Sequence, residues 1–187
     1  MKHEIRPELK MAGQALAGAG VAGEKRLKTV YKIEAFGPDG KLKWTDEFEN
    51  LVVDAGLDDS LDKHLKGSSY TAAWYVGLMD GTPSPAAGDT MSSHAGWSEV
   101  TAYSEATREA LTLGSVSSQS VDNSASKASF SINSNSTTIG GAFIASDNTK
   151  SGTSGVLYGA GAFSAGDKTL DNGDTLNVTV TLTASAS

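Results

Sequence analysis

The sequence predicts a mainly β protein: a single β-sandwich or jelly-roll-like body with one short helix, preceded by an extended N-terminal arm. Three observations carry this expectation. After residue 28, apolar and polar residues alternate with period two in run after run, the pattern of strands with one buried face. Turn sequences rich in Gly, Asn, Asp and Pro separate these runs at short intervals, as in sandwiches and jelly rolls. Within the body, only residues 54–66 carry a sustained helical stripe. The expected division is residues 1–28 as arm and 29–187 as body. A chain of 187 residues can bury one hydrophobic core without disulfides or metal.

The elements follow in order. In the arm, residues 8–16 suit two helical turns, with Leu9, Ala12 and Leu16 on one side. Gly13, Gly18, Gly20 and Gly23 discourage anything longer, each costing about 1 kcal/mol relative to Ala. Residues 29–49 form a hairpin. Tyr31, Ile33 and Ala35 alternate with Lys32 and Glu34, then Gly37-Pro38-Asp39-Gly40 makes the turn, then Leu42, Trp44 and Phe48 alternate with charged residues. Pro presets φ and Gly accepts positive φ at such turns. In residues 54–66, Asp54 is the expected cap, Leu57, Leu61 and Leu65 form one stripe toward the core, and Gly67 stops the helix. Residues 70–79 are apolar or small on both faces, which predicts a central strand covered on both sides.

Residues 80–89 read as a loop, with Asp89 capping one helical turn that ends by Gly96. Further strands are expected over 108–116, 127–133, 138–145, 155–163 and 175–184, about eight in all. Ser-rich residues 117–126 are expected to form a turn or loop. The last strand is the cleanest: Leu176, Val178, Val180 and Leu182 point inward, and Thr175, Asn177, Thr179, Thr181 and Thr183 outward.

Composition narrows the function. The net charge is −7, from 15 basic and 22 acidic residues, which argues against nucleic-acid binding through a general basic surface. The charge is uneven: residues 1–28 are +3, while residues 67–187 are −6. A basic arm on an acidic body suits docking on an acidic neighbour; an ordinary polar tail is the alternative. Cysteine is absent, so disulfides, a thiol nucleophile and Cys-ligated zinc are excluded, and synthesis in a reducing cytoplasm fits. No run of about 20 apolar residues offers a membrane span. Residues 11–21 are too glycine-diluted for a general secretion signal.

No catalytic constellation emerges. His3, His64 and His94 are scattered, and His64 near a helix end has an electrostatic explanation through the helix dipole. His94, with Ser92, Ser93 and Asp89, imitates a triad, but triad members meet in space rather than in sequence. The run Asp54, Asp58, Asp59, Asp62 lacks the glycine and terminal Glu of a calcium loop. Asp171-Asn172-Gly173-Asp174 could touch a cation, although a turn with its own side-chain bonds is simpler. Gly140-Gly141, Gly155, Gly159 and Gly161 match no phosphate loop and suit close backbone packing. The aromatics Trp44, Trp74, Tyr75 and Trp97 could make a sugar platform, yet are more simply core anchors. No cofactor or metal is expected.

The order of segments resembles a group of structural proteins of tailed bacteriophages. The likeness rests on Asp39 to Trp44 (DGKLKW), Glu49 to Asp58 (ENLVVDAGLD), Ala73 to Leu78 (AWYVGL), Gly88 to Tyr103 (GDTMSSHAGWSEVTAY), Ala106 to Leu111 (ATREAL), Asn123 to Asn133 (NSASKASFSIN) and Ile139 to Ser146 (IGGAFIAS). It covers most of residues 30–183 and is weakest in the arm. The resemblance implies a virion component rather than an enzyme. Head decoration is an inference added to it: a capsid decoration or cement protein that binds and stabilises the major capsid lattice. It would sit on the capsid exterior after assembly in the host cytoplasm. A tail or fibre-associated, host-binding component is the alternative. The expected partners are the major capsid protein and further copies of the chain, a trimer being one option, with neither nucleic acid nor membrane. Partner contacts are expected from the arm: Lys2, Arg6 and Lys10 for charge, Leu9, Met11 and Leu16 for apolar contact.

Overall fold

A computed structural model of the chain describes residues 25–70 and 73–186. Two antiparallel sheets face each other across one core, as expected of a β-sandwich. The first sheet begins with the hairpin of β1 (Lys25–Phe36) and β2 (Leu42–Glu49). The C-terminal strand β13 (Thr175–Ala186) pairs with the other edge of β1 along its whole length, from Lys25 opposite Ala186 to Phe36 opposite Thr175. Two short strands, β7 (Ser120–Asp122) and β8 (Ala128–Ser131), share the far edge of β13.

The second sheet has the order β3 (Leu51–Val52), β11 (Leu157–Ala162), β10 (Gly141–Ala145), β4 (Tyr75–Met79). The outer edge of β4 is shared by β5 (Glu99–Val100) and β6 (Glu109–Ala110). A small ribbon joins β9 (Thr137–Ile139) to β12 (Lys168–Leu170).

Strand period two explains the core. Tyr31, Ile33 and Ala35 of β1, Phe130 of β8, and Leu176, Val178 and Val180 of β13 meet Val76 and Leu78 of β4 and Ala142 and Ile144 of β10. The alternate residues of the second sheet turn outward. Met79, Phe143, Ala145 and Leu157 pack there under Val53, Met91 and Trp97, a third layer made by the start of the helix and the 80–97 loop. Strand β4 is therefore buried on both faces, as its unbroken apolar run predicts. Its middle residue, Gly77, leaves the space that the Phe143 ring fills. Gly77→Ala should cost about 1–3 kcal/mol, the usual cost of overpacking a tight core. An unchanged urea midpoint would mean that Phe143 moves aside freely.

Several sequence expectations are corrected. The first strand starts at Lys25, not Thr29, so residues 25–28 belong to the body. Their pairing with residues 183–186 uses backbone bonds and needs no apolar alternation. The helix divides into α1 (Asp54–Ser60) and a π-helical turn, Leu61–Leu65, and Gly67 follows at φ 79°. The leucine stripe does not face the core: Leu57, Leu61 and Leu65 are 41, 56 and 80% exposed. The opposite stripe packs instead, through buried Val53 and Gly56 and half-buried Ser60. Gly56 lies against the Tyr158 carbonyl of β11, and a Cβ there would collide with that backbone. The close approach selects the small-residue face. Asp54 is not the cap; Val53 holds that position without a side-chain bond.

Residues 89–96 form no helical turn but a bridge between Thr90 and Ser93. The 108–116 strand shrinks to β6, the Ser-rich loop contains β7, and the 138–145 strand is split into β9 and β10 at Gly140.

Candidate functional site

The arm residues expected to touch a partner, Lys2, Arg6, Leu9, Lys10, Met11 and Leu16, lie outside the described residues, as does His3. The other candidates from the sequence serve the fold. His94 stacks on Trp97 with ring centroids 3.8 Å apart, and its Nδ1 bonds the Trp97 carbonyl at 3.0 Å. Asp89 accepts the Trp97 Nε1–H and the Ala86 N–H, both at 3.0 Å. Ser92 bonds Thr90 rather than His94. The triad-like cluster is thus the hydrogen-bonded frame of a loop.

Two of the acidic candidates, Asp62 and Asp174, are similarly engaged. Asp62 accepts bonds from Lys66, Ser68 and Lys63, and these donors, led by Lys66, hold its carboxyl at about 2. Asp174 is buried, accepting Lys43 Nζ at 2.6 Å and the Asp171 N–H at 2.9 Å. The DNGD run is therefore a tied turn. Among the described residues, no group of three or more His, Asp or Glu is placed to hold a metal ion. Trp97 is buried against Phe143, while Trp44 and Trp74 are half-buried against Phe163 and Tyr158.

Two polar anchors escape the sequence reading. Arg108 is 1% exposed. Its Nε and Nη2 donate to both carboxylate oxygens of Glu99 at 2.9 and 2.8 Å, and its remaining donors reach the carbonyls of Asp147 and Gly152. Glu99 also accepts the Ser151 N–H, so one ion pair pins the 146–155 loop to β5. The second anchor is Asn123, also 1% exposed, in the gap between β7 and β8. Its side chain donates to the Val178 carbonyl and accepts the Val180 N–H, completing the ladder along β13. Both lie in segments that carry the resemblance, Arg108 in ATREAL and Asn123 at the start of NSASKASFSIN, but nothing there marks them as buried anchors, because their partners lie 39 or more positions away except for Glu99.

The described residues also form an apolar groove. At one end of the sandwich, Leu27, Trp74, Leu111, Leu113, Tyr158 and Leu182 line a groove of about 220 Å³, with Lys63 and His64 of the π turn on its rim. Leu27, Tyr158 and Leu182 also border a shallower hollow with Val116 and Val121, so the apolar surface is continuous. Leu27, Leu113 and Val116 are exposed, as is Tyr70, which also lines the groove. Burial pushes the Tyr158 phenol up despite its bond to Ser60, so it enters as a neutral, half-apolar wall. Aliphatic and aromatic walls with a few polar groups on the rim suit the side chains of a protein segment.

Architecture and site define a β-sandwich with an exposed apolar groove. No protein-family model matches the chain, and no curated protein or solved structure matches it.

Proposed function

We propose that this chain is a structural component of a tailed-phage virion, a capsid decoration protein that binds the major capsid lattice from outside and stabilises it. The supporting observation is the apolar surface around Leu27, Leu113, Val116 and Tyr70, which lies where β1 receives the arm. A contiguous apolar surface marks a contact site more reliably than scattered leucines do. Arg108, Glu99, Asn123 and Asp174 are bonded within the sandwich and support its rigidity. The resemblance of its segments to phage structural proteins is the second ground for this reading. The arm is the attachment element, Lys2, Arg6 and Lys10 supplying attraction to an acidic neighbour. Subunit contacts of this kind stabilise both partners by mass action.

Deleting residues 1–24 tests the assignment. The truncated chain should fold, because it keeps all thirteen strands and the helix of the described residues. It should lose binding to undecorated particles. The full chain should also bind less near 1 M salt, where the screening length falls to about 3 Å. Undiminished decoration by the truncated chain would place the contact on the body. Counting copies per particle separates head from tail: a number comparable with the major capsid protein is expected, and a handful per particle would indicate a tail component.

A further inference from the structure

Three steps of the chain place glycine directly after Asp or Asn: Asp39-Gly40, Asp80-Gly81 and Asn172-Gly173. The fold holds them differently. Gly40 donates its N–H to the Gly37 carbonyl at 2.9 Å, and Asp39 turns its carboxylate to the N–H and ammonium of Lys41. Gly173 donates its N–H to the Ile132 carbonyl, also at 2.9 Å. At the end of β4 the arrangement is the reverse: the Gly81 nitrogen lies 2.7 Å from Oδ1 of Asp80, the side chain just before it. We propose that Asp80 is a site of spontaneous covalent modification, closing on Gly81 to a succinimide that reopens to isoaspartate.

The reaction needs only the chain and water, and it holds or fails independently of particle binding. The Gly81 nitrogen bonds Asp80 Cγ, the Cγ–OH bond breaks, and the amide proton leaves with the hydroxyl as water. Water then opens either C–N bond of the ring, restoring aspartate or leaving isoaspartate, in which the main chain runs through Cγ. Holding nucleophile and acyl carbon together removes much of the entropic cost of closure. Glycine offers an unhindered nitrogen, and a Cβ at this position would lie 2.9 Å from Thr138 Cγ2 and 3.0 Å from Asp167 Oδ2. Both flanks of the step are tied down. The Asp80 N–H donates to the Ser98 carbonyl. Asp167 accepts the N–H and hydroxyl of Thr82, whose φ of 54° is left-handed. Asp46 also accepts the N–H of its successor, but that successor is Glu47, and Ser164 and Ala165 engage its two oxygens. Isoaspartate at Asp80 adds a carbon atom to the main chain where β4 passes into the 80–97 loop, whose Met91 and Trp97 pack with Phe143.

Ageing the full chain at mildly acidic to neutral pH, then labelling it with an isoaspartate-specific methyltransferase and mapping the peptides, reads the reaction. The peptide carrying Asp80 should take several-fold more label than the one carrying Asp39. In urea the two should approach equality, because the folded geometry is gone. Asp80→Glu, whose longer side chain closes a ring less readily, should lose the label at position 80. Asp80→Asn gives a sharper comparison, since the chain then has Asn-Gly at both 80 and 172. Position 80 should lose ammonia several-fold faster than Asn172, whose glycine N–H is held by Ile132. Equal labelling at Asp39 and Asp80 in the folded chain would overturn the proposal. So would a ratio that urea leaves unchanged, or loss of ammonia from Asn172 as fast as from position 80.

Discussion

Replacing Arg108 with alanine is expected to cost about 3–5 kcal/mol of folding stability, the usual penalty for breaking a buried ion pair. The loss exceeds that of one contact because the guanidinium serves four acceptors at once: both Glu99 oxygens and the carbonyls of Asp147 and Gly152. Its removal leaves the Glu99 carboxylate buried, with the Ser151 N–H as its remaining donor. Arg108→Lys should recover only part of the loss, since an ammonium keeps the charge but not the planar fork. Arg108→Met with Glu99→Leu should recover more than Arg108→Ala, because no charge is then stranded, although the loop carbonyls still lack donors. Urea unfolding reads the stability. Amide exchange should show the 146–155 loop opening ahead of the rest. A loss below about 1 kcal/mol for Arg108→Ala would mean that water replaces the guanidinium without cost.

Val180→Asp should abolish the fold at ordinary temperature, whereas Thr179→Asp should stay within about 0.5 kcal/mol of the parent protein. Val180 is fully buried in the long C-terminal strand, opposite Tyr31. No cation is among the residues that form this core. Burial of a carboxylate there costs several kcal/mol, against a total stability of roughly 5–15 kcal/mol for a domain. Thr179 points to the other face, paired with exposed Lys32, where a carboxylate gains a weak cross-strand attraction. Circular dichroism and melting temperature check both variants. Equal melting temperatures would contradict the register of β13.

These two predictions differ in what the sequence could foresee. The Val180/Thr179 contrast was legible because period-two alternation is local: whichever strand pairs with residues 175–184, one face must be wet. The same locality made the hairpin readable, since Gly37 to Gly40 holds its own turn, with Gly40 at φ 72° and its N–H bonded to the Gly37 carbonyl. The expectation weakened where a polar residue sat on an inward face. Asp46 falls in step with Trp44 and Phe48, and it is buried because Ser164 and the Ala165 N–H meet it from across the sandwich. Those partners are more than a hundred residues away in the chain, beyond the reach of any local pattern.

The candidate site was the less legible part. The residues expected to bind a partner belong to the arm, while the groove draws its walls from residues 27, 74, 111, 113, 158 and 182, no two of which belong to one motif. Its exposure also depends on a choice the helix makes. By composition, Leu57, Leu61 and Leu65 form the stronger apolar stripe, and burial of leucine favours turning it inward by roughly 1.5–3 kcal/mol each. The glycine face nonetheless packs, because Gly56 lets the helix backbone approach the Tyr158 carbonyl closely and hold the start of α1 through the Val53 N–H.

By itself, then, the sequence determined the β class, the two-faced period of the hairpin and the C-terminal strand, the buried status of β4 and the lack of cysteine chemistry. Each is a property of neighbours along the chain. Tertiary structure alone decided that Arg108 and Asn123 are anchors, which helix face packs, and where the apolar groove opens. Each of those depends on groups brought together from distant segments, where burial and hydrogen-bond satisfaction are settled by the assembled sheets and not by the order of residues.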